Sequence, residues 1–139
     1  MAGDQLQTDD LPTVAGSVVE RDGRYLMVQA KPEPAYGKWG IPAGYMDPGE
    51  TEKAAAVREA AEATGYEIEI IEEIGRFPDT KKLRVAFRAQ VVGGDRRVQP
   101  EEILDVQWLT YAEIEALNRA GNIRTPWIFE AISSVEGDR

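Results

Sequence analysis

Apolar and polar residues alternate along two early stretches of the chain, "PTVAGSVVE" (12–20) and "YLMVQA" (25–30), and both are predicted as strands. Between them "RDGR" carries Asp22-Gly23, a dipeptide suited to the tight turn of a hairpin. The pattern then breaks. Residues 31–50, "KPEPAYGKWGIPAGYMDPGE", are rich in proline and glycine and are predicted as one long loop, of a length that usually carries function. Residues 51–64 change to a helical pattern rich in alanine and glutamate, and Gly65 stands where a C-terminal cap belongs.

Two long β segments follow, at 67–77 and 82–92, with "PDTK" as the turn between them. After a polar loop, 103–109 is predicted as a strand and 111–120 as an amphipathic helix. A last helix is predicted over 125–135, with Pro126 in its first turn. No repeat or low-complexity tract interrupts this order. Mostly antiparallel strands with one central helix and a helical C-terminus describe an α+β sandwich.

On a helical projection of 51–64, Ala54, Val57, Ala61 and Thr64 fall on one side, which is predicted to face the core. Glu52, Ala55, Glu59, Glu62 and Ala63 fall on the opposite side, predicted to face away from it. Glu59 and Glu62 are near neighbours there, and Arg58 follows Glu50 at a spacing that could let the two pair across loop and helix.

Composition narrows the chemistry those acids could serve. The 139 residues include no cysteine and no histidine, which removes disulfides, thiol nucleophiles, Ser-His catalysis and the usual zinc sites. A metal would have to be held mainly by oxygen, as Mg²⁺ or Mn²⁺ is, and a general base would most simply be a carboxylate. The net charge of −9, with no basic stripe, argues against a nucleic-acid duplex as partner. No apolar run reaches the ~20 residues of a membrane-spanning helix. The polar start "MAGDQLQTDDLP" is unlike a secretion signal. These features predict a cytoplasmic protein with a flexible tail over 1–10 and a single domain over 11–139; a homodimer is compatible with them.

Residues 44–66, "GYMDPGETEKAAAVREAAEATGY", resemble the Nudix box: glycine, five residues, Glu, seven residues, Arg-Glu, a small residue, any residue, Glu-Glu, any residue, Gly and an apolar residue. Gly44, Glu50, Arg58, Glu59, Ala60, Glu62, Gly65 and Tyr66 match in register, and "GKWGIPAG", "PEEILDVQWLT" and "NIRTPW" extend the resemblance over most of the chain. The departure is Ala63, where the family has the second Glu of its pair.

The resemblance implies an α/β/α sandwich with a mixed central sheet and Mg²⁺-dependent hydrolysis of a nucleoside diphosphate linked to another group. It implies metal ligation by Glu59, Glu62 and the backbone carbonyl of Ala43. An extra acid from the later loop, Glu102 in preference to Glu101, would act as ligand or base. Glu50 and Arg58 would brace the loop against the helix, with Gly44 and Gly65 supporting it. Tyr36 and Trp39 could stack on a ring, and Lys38 could reach a phosphate; Trp39 is equally compatible with a packing role. Ala63 is expected to leave one coordination position to water. The rival expectation is a nucleotide-binding module of the same fold that has lost hydrolysis.

Overall fold

In a computed structural model of the chain, residues 11–139 are described; the tail predicted at 1–10 lies outside them. Strands β1 (Thr13–Arg21) and β2 (Arg24–Ala30) form the expected hairpin. Asp22 and Gly23 both take positive φ, 54° and 77°, the combination that turns two strands in two residues without splaying them. Strands β5 (Tyr66–Pro78) and β6 (Leu83–Gly94) form a second, longer antiparallel pair. The two pairs join where β1 runs parallel to β6, from Thr13↔Leu83 to Val19↔Ala89. That one parallel seam makes the sheet mixed. Strand β7 (Ile103–Thr110) extends it beside β2.

The loop predicted over 31–50 is not wholly irregular. It contains strand β3 (Trp39–Gly40), paired with β2, and strand β4 (Ala43–Tyr45), paired with β1. Two or three residues are too few to display an alternation, so only the pairing partners reveal them.

Among the described residues three helices complete the fold: α1 (Glu52–Thr64), α2 (Tyr111–Arg119) and α3 (Pro126–Gly137). Their ends follow local chemistry. The Thr51 hydroxyl accepts from the Ala54 N–H at 3.1 Å, and Gly65 closes α1 in the left-handed conformation. Thr110 and Glu113 form a reciprocal capping box at the start of α2. Successive residues of β2 then point to opposite layers. Tyr25 and Met27 pack with Trp127, Ile128, Ile132 and Val135 of α3, whereas Leu26 and Val28 pack with Ala60 of α1. The result is helix, sheet, helix.

The orientation of α1 differs from the sequence expectation. Ala55, Ala56, Ala60 and Thr64 are buried, Ala54 is exposed, and Val57 and Ala61 are only partly covered. Ala63, expected to face away from the core, is half-buried: one side packs against the cluster that includes Val19, Leu26, Val28 and Val106, while it shares an open cleft with Glu59 and Glu62. The helix is thus rotated so that Glu59 lies on the sheet-facing side. Alanines occupy six of its positions, and so small a side chain weights no face strongly.

Candidate active site

Gly44, at the centre of β4, lies against α1. A Cβ built on it would fall on the carboxylate of Glu59, so the missing side chain leaves the space that this carboxylate fills. Met46 N–H bonds to Thr13 and Ser17 N–H to Pro42, which fixes the ladder between β4 and β1. In an antiparallel ladder the residues between bonded pairs turn their peptide groups outward. Ala43 and Tyr45 are those residues, and β4 has no second neighbour among the described residues. The Tyr45 carbonyl accepts from Arg58 at 3.0 Å; the Ala43 carbonyl lies on the same open edge, beside the cleft that Ala43 lines.

Arg58 ties the acids together. Its Nε donates to Glu50 at 2.7 Å and its Nη2 to the other Glu50 oxygen at 3.0 Å. Its Nη1 donates to both Glu59 and Glu62 at 2.9 Å. With the bond to Tyr45, all five N–H donors of the guanidinium are used. The two-pronged contact holds the Glu50 carboxyl far below the usual carboxylate range, at about 2. Glu59 moves the other way: burial pushes its pKa up, only partly opposed by Arg58. Glu62 stays 59% exposed, close to its partner but open to the cleft.

The cleft between β4, α1 and the loops before β7 and α3 has a volume of about 780 Å³. Glu59, Glu62 and Glu102 all line it, together with Ala63 and Asp47; Glu101 does not. The backbone N–H of Glu102 donates to the Gln99 side chain at 2.8 Å, which pins the loop that carries it. Tyr36, Lys38 and Trp39 lie outside this lining. Tyr36 is exposed, the Lys38 ammonium donates to the Gly121 carbonyl at 2.8 Å, and Trp39 packs against the core beneath α3. Lys82, Arg84, Arg97 and Arg124 also line the cleft, and no motif in the sequence marks them. Their approach depends on tertiary packing, since they come from β6, the turn before it and two further loops.

The NUDIX domain model matches residues 10–130. The chain belongs to the Nudix family. A MutT-like protein of Streptomyces ambofaciens is 36% identical over 104 residues, covering 73% of this chain and 65% of that protein. A Mycobacterium tuberculosis protein named as a candidate 8-oxo-dGTP diphosphatase is 31% identical over 130 residues, 89% of each. Among solved structures, a Nudix hydrolase from Nitrosomonas europaea superposes with a TM-score of 0.83 at 29% identity, covering 92% of this chain and 90% of that one. Some relatives are much longer: the match covers 31% of a Caenorhabditis elegans Nudix relative.

The Nudix residues present fit a hard divalent cation. Every side-chain donor is oxygen, the Gly44 cradle holds one carboxylate at the cleft wall, and the Ala43 carbonyl lies on an edge that no described strand pairs. The set is sparse. Among the described residues no three acids are gathered tightly enough to enclose an ion by themselves. Mg²⁺ suits such a set, because it keeps several waters and needs only one or two carboxylates beside a substrate phosphate.

Proposed function

We propose that this Nudix protein hydrolyses a phosphoanhydride bond in a nucleoside diphosphate linked to another moiety, with Mg²⁺ or Mn²⁺ held by Glu59, Glu62, the Ala43 carbonyl and Glu102. The observation that carries the reading is the meeting of Glu59, Glu62 and Glu102 in one cleft that also presents cationic side chains. When bound, the metal neutralises phosphate charge and makes water a nucleophile near neutral pH. Gly44 gives Glu59 room, and Arg58 orients Glu59 and Glu62 while Glu50 holds Arg58. Arg58 has no donor left over, so it positions carboxylates and does not bind substrate. Glu102, exposed at the opposite wall, is the candidate base or additional ligand.

Ala63 and the sparse acid set favour the second reading, a binding module without turnover. A screen of nucleoside triphosphates, sugar nucleotides and dinucleotides with Mg²⁺ and Mn²⁺ separates the two. The hydrolase reading expects release of phosphate or nucleotide, falling by about 100-fold or more in Glu59→Gln, the scale of losing one preorganised charged group. Binding of nucleotides without any turnover would establish the module instead. The same reading takes 11–139 as one domain of a cytoplasmic protein, as a monomer or homodimer. Among the described residues no helix is long and apolar enough to cross a membrane.

A further inference from the structure

Seven of the eleven arginines meet a carboxylate among the described residues, as expected in a chain of net charge −9. Arg21 instead lies 4.2 Å from the Trp108 ring centroid, and Arg119 is in the last turn of α2, where the helix dipole favours a cation. Two remain, Arg97 and Arg124. Both line the cleft, and neither meets a carboxylate among the described residues.

Their backbones are anchored although their side chains are exposed. Arg97 N–H donates to the Thr64 carbonyl at 2.7 Å, tying it to the end of α1. Arg124 N–H donates to the Trp39 carbonyl, and Trp39 N–H to Asn122, each at 2.8 Å, which ties the second loop to β3. The stem of Arg124 passes over Gly40, where an added Cβ would come within 3.9 Å of its Cδ. The other two cations of the cleft are already engaged: Arg84 with Asp79 at 2.7 Å, Lys82 over the Tyr45 ring at 5.2 Å.

We propose that Arg97 and Arg124 form an anion subsite that takes a phosphate of the substrate outside the bond that is cleaved. The inference rests on the hydrolase reading and deepens it: the favoured substrate is a nucleoside polyphosphate, or a diphosphate whose second group itself bears phosphate. Each is a planar fork that meets no acid among the described residues, and each is matched to the tetrahedral oxygens of a phosphate. A neutral sugar as the second group would leave both guanidiniums unused.

The test compares a nucleoside triphosphate with a diphosphate sugar of the same nucleoside, using Arg97→Ala, Arg124→Ala, the double variant and the lysine replacements. Each alanine should raise KM for the triphosphate about tenfold, leave kcat within threefold and leave KM for the sugar nucleotide within twofold. Lysine should restore part of the loss, and Arg119→Ala, outside the cleft, should change nothing. Calorimetry with inorganic tripolyphosphate at 0.15 M salt, without divalent metal, gives a readout independent of turnover; the double variant should bind at least tenfold more weakly. Equal KM increases for both substrates, or unchanged tripolyphosphate binding, would overturn the subsite. If the natural protein hydrolyses neither substrate, the hydrolase reading fails, and the tripolyphosphate titration still decides the role of the two arginines.

Discussion

Replacing Gly44 with alanine adds a single carbon, and that carbon would occupy the place of the Glu59 carboxylate. The backbone tolerates the change, because Gly44 is not among the glycines with positive φ. What must move is the far end of a flexible side chain. Leaving its place costs Glu59 its bond to Arg58 at 2.9 Å, about 1.5–3 kcal/mol for a charged hydrogen bond. Water regained by a carboxylate that burial had destabilised offsets much of this. The net loss should stay below about 1.5 kcal/mol, a fall in Tm of no more than roughly 5 °C for a chain of this size. Function should respond on another scale, with turnover reduced about 10²–10³-fold, because the displaced group is the less exposed of the two acids that α1 presents to the cleft. Calorimetric scanning, Mn²⁺ titration and steady-state kinetics measure the three quantities. Adding Glu59→Gln to the alanine variant should cost less than a further threefold, since both changes remove the same group. Turnover and Mn²⁺ binding within threefold of the natural protein would refute the reasoning, and so would a fall in Tm beyond 10 °C.

The remaining predictions concern stability. Glu50, held at about 2 against an ordinary value near 4.3, contributes stability that is present above about pH 4.3 and lost as pH falls toward 2. Glu50→Gln should therefore lower the urea midpoint at pH 7, with the gap to the natural protein closing in acid; a gap independent of pH would contradict this. The Ser17 hydroxyl is buried without a hydrogen-bond partner among the described residues, so Ser17→Ala should stabilise the protein by about 1 kcal/mol in urea unfolding. A loss of similar size would reveal a partner such as bound water. Ala63→Glu places an acid where a half-buried methyl group packs against the core at the edge of the cleft, and should cost about 1 kcal/mol. An unchanged Tm would restore the outward-facing assignment.

The elements were legible because local chemistry marks their ends: Asp22-Gly23 at the hairpin, Gly65 at the end of α1, Pro126 at the start of α3. The pairing of Arg58 with Glu50 could be read for the same reason, since eight residues of loop and helix separate them. Rotation of α1 was not legible. A helix built on alanine is oriented by what packs over it, here Leu26, Val28 and Phe87 from distant strands. Tyr36, Lys38 and Trp39 look like ligand contacts because they stand just before the box, yet β3 carries that segment away from the cleft lining. Arg97 and Arg124 give no signal in one dimension, since neither belongs to a motif and their environment arises only on folding.

Gly65 does more than end a helix. A Cβ on it would run into the Asp95 carbonyl, and one on Gly94 into the carbonyl of Gly65, so the two glycines meet backbone to backbone. Along the chain, the helix bearing Glu59 and Glu62 ends at one of them, and the loop bearing Arg97 and Glu102 begins at the other. The contact therefore acts as a spacer: with only hydrogen atoms between the two segments, the walls of the cleft stand as near as backbone can come. A methyl group at either glycine would push the loop outward and widen the gap that the proposed cation and phosphate would bridge, although it lies against neither proposed site.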